Sequence, residues 1–540
     1  MRKDLRKDHT NGRFGGKLAM CVAPALLLLS LLASAQDVQR NPIVKYARNA
    51  TTPLAVRNMT PEPWHNLTKV MPDFDENAPF PRHTKLPDTV VQTEVLPPVG
   101  TTNLLNFDGI FGRQAGGFVP PDTNASVGDA QVVETVNVAF AVYDKATGKQ
   151  LMAPVSIQTL YRPLGGECAT GNLSDPVVNY DKVANRWLIT MIAFNGNFSV
   201  NDGCVAVSAT SDATGKWHAY DFSYGNVLPD YPKVGVWPDA YYLTTNSYPG
   251  GGNFAGAESC ALNRTKMLAG KAATAVCFQR TSSDYALLPS DVDGSTAPPK
   301  GAPNYEVDQD MSDTTKLNLY QFHVNFAKPK TSTFKGPAKI AIAAYNGVCG
   351  FNRSCIPQPA PGEMLAAIGN RMMFRLPYRN FGDHEALVAT HSVVPTGSGG
   401  AVSAVRWYEI RSPGSSPSVF QSGTIGGGKS PVSKWMARIA MDKAGDIALG
   451  YSKSSKTLKP SIEYVGRVPG DPLGKMESPS LIIKGPGVQV ASQNRWGDYS
   501  SMAIDPTDDC TFWYAQEYYK TTGSFNFSTR LASFKFTGCK

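Results

Sequence analysis

The sequence lacks most of the features that would disclose a function at once. Only seven of its 540 residues are histidine and no His-Glu-x-x-His pair occurs, so the zinc-protease spacing is absent and no metal-ligating set stands out. Gly-x-Ser-x-Gly is missing too, which removes the commonest serine-hydrolase signal. Beyond residue 35 no apolar run reaches the roughly 18 residues that a membrane span needs. Basic charge is not concentrated anywhere. The formal net charge of +8 falls to +4 once the six basic and two acidic residues of the first 35 are set aside, whereas a nucleic-acid partner would want a clustered basic face. Helical periodicity is confined to Glu363 through Leu376, where Gly369 weakens it.

What is present begins with an export signal over residues 1–35. Arg2, Lys3, Arg6, Lys7, Arg13 and Lys17 form a basic front, Ala19 to Leu32 an apolar core, and Ala33-Ser34-Ala35 a small-x-small cleavage pattern. The mature chain is therefore expected to be secreted or periplasmic. Cys21 lies inside the apolar core, and the remaining eight cysteines are an even number in an exported chain, which reads as disulfides. Pairing of sequence neighbours would join Cys168 to Cys204, Cys260 to Cys277, Cys349 to Cys355 and Cys510 to Cys539. Residues 36–105 hold ten prolines in 70 positions without sustained periodicity. That composition predicts an extended arm or linker ahead of a main domain over 106–540.

The main domain reads as all-β. Short runs rich in Val, Ile, Tyr, Phe, Trp and Thr are broken by Asp, Gly, Asn and Pro. One phrase recurs: a polar or aromatic cluster, an apolar run, then a turn. Its clearest copies are Ser174 to Asp181, Lys434 to Asp442 and Arg495 to Asp505; looser ones begin at Pro120, Asp230 and Gly382. Intervals between the openings at 122, 175, 231, 383, 435 and 498 are 53, 56, 52 and 63 residues, with one gap of 152. A further copy near Asn304-Tyr305-Glu306 would fill that gap. Four strands and their loops fit such a period, so the pattern predicts a seven-bladed β-propeller, six blades being the alternative count. The aspartates closing each phrase (Asp181, Asp442, Asp505) read as turn residues, because an Asp side chain bonds nearby backbone amides.

Two local motifs are weaker than they look. Gly423 to Ser430 matches the phosphate-loop pattern letter for letter, but that loop works only between a parallel strand and a helix. Here Pro431 and Trp435 lead into another β phrase. Asp291-Val292-Asp293-Gly294 has the look of a calcium loop, yet its glycine comes two positions early and no Glu follows at the twelfth place. Calcium draws no support from this segment, and the cofactor content stays unknown.

The phrase openings remain. In a propeller they would gather round one central funnel. Asp383, Glu385, Asp498, Asp122 and Asp175 are the candidate catalytic carboxylates. Tyr231, Lys233, His384, Trp435, Arg438, Arg495 and Trp496 are the candidate binding groups. Aromatic faces stack on sugar rings, and a carboxylate pair can supply acid and base or nucleophile for glycoside cleavage. The expectation is an exported monomer that binds, and in its strongest form hydrolyses, a polysaccharide or other glycan. The alternative is a non-catalytic adhesion or cell-surface interaction scaffold. Carboxylate geometry separates them: a solvent-open pair favours the hydrolase, and carboxylates consumed by amides or arginine favour the scaffold.

Taken together, Pro120-Pro121-Asp122-Thr123-Asn124, Tyr231-Pro232-Lys233 with Gly235 to Tyr242, Gly382-Asp383-His384-Glu385 and Arg495 to Ser500 resemble a group of large secreted bacterial β-propeller proteins. The resemblance spans roughly 106–540 and implies export and a propeller, with no reaction attached. The Asp175-Pro176-x-x-x-Tyr180-Asp181 strand is also distantly similar to sialidase-like propellers. The Ser-x-Asp-x-Gly-x-x-Trp box of that family is missing and no arginine triad is evident, so the similarity does not extend to sialidase activity.

Overall fold

The computed structural model describes residues 41–540 apart from 67, 75–77, 95, 351–352, 396–398 and 491–493. The expected export signal lies outside the described residues. The fold is all-β. Among the described residues most strands form seven successive antiparallel groups of four, and Ser354–Ile356 pairs with Leu365–Ala366 in a separate two-stranded sheet. The first strands of these groups are Asn124–Val127, Asn172–Asp181, Val227–Val236, Leu288–Val292, Leu376–Asn380, Ser433–Met441 and Ser501–Ile504. The fourth and fifth groups join into one eight-stranded sheet, because Leu288–Val292 pairs in parallel with Leu376–Asn380. The seventh group is completed by a strand from far upstream, Thr101–Phe111, paired with Ser528–Phe536.

Each first strand lies beside the first strand of the next group, and the seventh lies beside the first. These inner strands thus close a ring. Their near-continuous apolar character follows from being covered on both faces, as in Val177 and Val178, Ala437 and Ile439, or Met502 and Ala503. Close approach also demands small residues. A side chain at Gly235 would sit 2.3 Å from the Ser290 carbonyl of the neighbouring inner strand.

Three expectations are corrected. Residues Glu363 to Leu376 form no helix; they run as an irregular segment, exposed at Glu363 and Met364 and buried from Leu365 on, with a short strand at Leu365–Ala366. A side chain at Gly369 would fall 2.4 Å from the Val348 amide, so tertiary packing overrides the weak local periodicity. The copy placed near Asn304 is the second strand of its group, Asn304–Gln309, and the inner strand begins earlier, at Leu288. Asp383 lies in the turn after the fifth inner strand rather than at its beginning, where Phe381 donates its amide to the His384 carbonyl.

The Pro-rich arm is extended and laid over the sheets. Ile43–Tyr46 adds a fifth strand to the third group, and Arg48–Thr51 adds one to the second. Further along, Val70 bridges Val119, Val91 bridges Thr424 and Pro98 bridges Ser478, so an edge of several sheets is covered rather than exposed. Residue 105 falls inside the Thr101–Phe111 strand. All four disulfides join the expected neighbours: Cys168–Cys204, Cys260–Cys277, Cys349–Cys355 and Cys510–Cys539. No helix among the described residues is long and apolar enough to cross a membrane.

Candidate functional site

The repeated phrase has a repeated backbone. Asp122, Asp175, Tyr231, Ala286 and Met436 all sit at positive φ, between 49° and 59°, just before or within the first half of the first, second, third, fourth and sixth inner strands. Only Asp among these types tolerates that region well, and such residues cost roughly 1–3 kcal/mol each unless their surroundings fix them. The fixing is done by side chains of the preceding group. Asn137 Oδ1 accepts from the Asp175 amide at 3.0 Å, Asn246 Oδ1 from the Ala286 amide at 2.9 Å, and Ser392 Oγ from the Met436 amide at 3.3 Å. The ladder skips at the same point in three inner strands, between Ser174 and Val177, Asp230 and Lys233, and Trp435 and Arg438. These bulges re-aim the neighbouring side chains.

They aim inward. Asp498 accepts from Arg353 at 2.8 Å and from Arg495 at 3.2 Å. Arg438 donates to the Ser500 carbonyl at 2.8 Å and the Asp498 carbonyl at 3.2 Å. The Tyr499 hydroxyl donates to Asp175 at 2.6 Å, and Ser174 bonds the other oxygen of that carboxylate at 2.5 Å. Asp122 accepts from Asn137 at 2.5 Å. The Lys233 ammonium lies 3.1 Å from the Tyr231 ring centre and 3.6 Å from that of Tyr499, and Arg371 lies over Tyr231 at 4.1 Å.

The charged groups of this cluster are buried, although Arg353 and Arg495 border a second cavity of about 680 Å³ with Met71 and Asp73, and burial shifts their ionisation. Burial pushes the Asp122 carboxyl well up, reinforced by Asp175 and Asp498. Burial also raises Asp175, against the opposing Lys233 charge, and pulls Lys233 well below the ordinary lysine range. Asp498 goes the other way: burial would raise it, but Arg353, Arg495 and Arg371 outweigh that and hold it below the usual carboxylate range. The arm covers the same end. Arg495 donates to the Met71 carbonyl at 3.0 Å, and Arg353 grips Asp73 through bonds of 2.9 and 2.8 Å.

The opposite ends of the inner strands line an open cavity of about 500 Å³, within the range of ligand pockets. Ser126, Asp129, Tyr180, Lys182, Asp291, Asp293, Ser295, Arg375, Lys443, Thr507, Asp508 and Asp509 contribute to it. Most of its charges are already matched. Arg375 holds Asp291 at 2.8 Å and Asp293 at 3.0 and 2.6 Å. Arg379 holds Asp509 at 2.8 and 2.7 Å. Asp508 accepts from the Cys510 and Thr511 amides at 3.0 and 2.9 Å. Burial raises Asp291 to about 6, with Arg375 opposing, and lowers Lys182 to about 8, with Asp293 opposing and Arg379 assisting.

No protein-family model matches the chain, and no curated protein matches it. Solved structures do. An α-L-arabinofuranosidase from Fusarium graminearum, in complex with an iminosugar inhibitor, aligns at a TM-score of 0.36 and 9% identity over 82% of this chain and 99% of that one. A Penicillium chrysogenum α-L-arabinanase complexed with arabinobiose aligns at 0.34 and 11%, over 68% and 98%. The WD40 domain of SCAP from fission yeast aligns at 0.32 and 9%, over 75% and 82%. At these scores the likenesses decide neither fold nor chemistry, which rest on the strand order and the groups themselves.

Of the residues expected in one funnel, the structure brings together Asp122, Asp175, Tyr231, Lys233, Arg438, Arg495 and Asp498. It does not bring Asp383, His384 and Glu385. Asp383 is exposed and bonded to His384 at 2.8 Å, while Glu385 accepts from Tyr378; the phrase there is a hairpin turn. Trp435 and Trp496 are fully buried and pack on each other at 5.7 Å between ring centres, so neither offers a face to a ligand. Asp181, Asp442 and Asp505 do accept from turn amides, those of Ala184, Ala444 and Thr507. Asp291 and Asp293 serve Arg375 rather than a calcium loop, and Gly423 to Ser430 leads from the outer strand of the fifth group towards the inner strand of the sixth with no helix after it. Sequence reasoning missed Arg353, Arg371 and Asp73, which lie outside every phrase. Lys182 and Lys443 were missed as well, though each directly follows a closing aspartate.

Proposed function

We propose that this chain is an exported seven-bladed β-propeller that binds an extracellular glycan in the open cavity, without hydrolysing it at the buried centre. The ring of seven inner strands supports the propeller, and four disulfides support an oxidising compartment. One observation carries the binding reading: carboxylates at the strand beginnings are buried and internally bonded, while the strand ends open onto a cavity lined by hydroxyl, carboxylate and ammonium groups. A glycoside hydrolase needs two carboxyl groups facing the scissile bond with room for water or substrate between them, and Asp122, Asp175 and Asp498 have no such room. Mixed polar lining suits a polyhydroxylated ligand, each sugar hydroxyl both donating and accepting.

The test is a glycan panel against the purified mature protein, read for binding and for released sugar. Retention of one glycan class without release, weakened by Asp129→Asn and unchanged per folded molecule in Tyr499→Phe, is the expected result. Release of sugar abolished by Asp498→Asn would return the chemistry to the centre, and retention of no glycan would remove the reading.

A further inference from the structure

We propose that Asp442 and Asp446 share one proton, and that this proton is a pH-sensitive latch holding the turn of Lys443 in the wall of the open cavity. The turn joins the first strand of the sixth group, Ser433–Met441, to the second, Ile447–Ser454. Lys443 lines the cavity, and its amide donates at 3.0 Å to the carbonyl of Asp509, which lines it too. Three phrases close on an aspartate in this place, and two of them supply a donor to each of its oxygens. Asp181 accepts from Ala184 and Arg264 on one oxygen and from Tyr241 and Arg264 on the other. Asp505 accepts from Lys145 and Thr507 on one and from Trp513 on the other. In the sixth group, Asp442 Oδ1 accepts from the amides of Ala444 and Asp446 at 2.8 and 3.0 Å. Its Oδ2 is buried and meets no donor among the described residues, and neither does the buried Oδ2 of Asp446.

The side chain within hydrogen-bond reach of Asp446 is the Asp442 carboxyl itself. Two ionised carboxylates are acceptors only, whereas a protonated one donates. Both residues are buried, and burial beside a like charge favours the protonated form. Their neighbours do not relieve them. Arg379, from the fifth inner strand, faces Asp442 but is bonded to Asp509 at 2.8 and 2.7 Å. Arg467, from the third strand of the group, faces Asp446 but donates to the Lys475 and Asp471 carbonyls at 3.2 and 2.9 Å. Asp471 and Glu477 add negative charge on that side. The Cys510–Cys539 bridge, whose sulfurs lie within 4.8 Å of an Asp442 oxygen, has no proton to give. Burial, with Asp446 beside it, raises the Asp442 carboxyl to about 7. The closed turn therefore keeps its proton to about pH 7, while an opened turn releases it near the ordinary aspartate value of 3.8. Opening becomes more favourable as pH rises between those two values and levels off above them.

The latch stands on the turn itself, whereas its bearing on ligand affinity rests on the glycan-binding reading above, so the experiment reads the turn with no glycan present. Hydrogen exchange of peptides covering residues 442–446 is followed by mass spectrometry on the intact mature protein from pH 5 to 8.5, corrected for intrinsic exchange rates. The opening constant of the turn should rise by up to about tenfold per pH unit between 5 and 7 and stay level from 7.5 upward. Asp446→Asn replaces the titrating donor by an amide that donates at every pH. Its profile should be flat, and its turn better protected than the parent's at pH 8. Asp442→Asn puts the amide on the other partner and should flatten the profile in the same way, which keeps the test open where one variant folds poorly. A flat profile in the parent, or a pH step retained in the variants, would overturn the latch. Protection above pH 7.5 that depends on added calcium and is lost in EDTA would overturn it as well, by putting a cation where the proton is placed.

Discussion

The two ends of the inner strands are built from the same side chains and behave in opposite ways. At the strand beginnings, Asp122, Asp175 and Asp498 meet Lys233, Arg353, Arg371, Arg438 and Arg495, and all of these side chains are buried. At the strand ends, Asp129, Asp291, Asp293, Asp508 and Asp509 meet Lys182, Lys443, Arg375 and Arg379, and the space stays open. Burial makes an unmatched charge intolerable, so the closed end has to satisfy itself. An open end can leave charges for a visitor. A ring of polar groups is therefore a poor guide to function until its internal pairing has been subtracted; what counts is the remainder.

The comparison breaks most visibly on stability. Asp498→Ala removes the carboxylate that two buried guanidiniums share, and should cost about 3–5 kcal/mol in urea denaturation, the usual result of stranding a buried charge. Tyr499→Phe strips one donor from Asp175 and should cost about 1–3 kcal/mol. The paired change Lys182→Met with Lys443→Met should cost less than Asp498→Ala, because Lys182 faces Asp293, Asp509 and Asp291 across an open cavity without a hydrogen bond to any of them. A loss above 3 kcal/mol in that double variant would show that the open end is as structural as the closed one. Binding should follow the reverse order, with the lysine variants impaired and Tyr499→Phe intact.

Most of the architecture was legible because a repeat writes its period several times. The positive-φ copies at Asp122, Asp175, Tyr231 and Met436 are all visible as phrases, but the copy at Ala286, although Ser283-Asp284-Tyr285 opens it, is passed over in favour of Asn304, 18 residues later. The fifth copy misled for a different reason. Gly382-Asp383-His384-Glu385 has the composition of an opening and is a turn, since Gly and Asp serve both places. Partners from outside the repeat were illegible: Asp73 comes from the arm and Arg353 from an irregular insertion, and only the fold brings them 2.8 Å from their partners Arg353 and Asp498. The closed end looked functional in sequence because titratable residues in a pattern attract attention, whereas Lys182 and Lys443 each sat one position beyond an aspartate correctly read as a turn.

The finest distinction between the two ends is in their response to alkali. Burial lowers Lys182 to about 8, and the groups facing it are Asp293 and Asp291 from the fourth inner strand, Asp509 from the seventh group and Arg379 from the fifth. In the free protein the unfolded chain binds more protons than the folded one between about pH 8 and the ordinary lysine value of 10.5. The Lys182 contribution to stability therefore rises with pH across that window. Glycan binding runs the other way, since an ammonium donor of the cavity is lost as pH passes 8. Denaturation midpoints and glycan affinity, measured from pH 6.5 to 9.5 on the parent and on Lys182→Met, should give difference curves of opposite slope. An affinity that stays flat through pH 8 in the parent would mean that Lys182 does not touch the ligand.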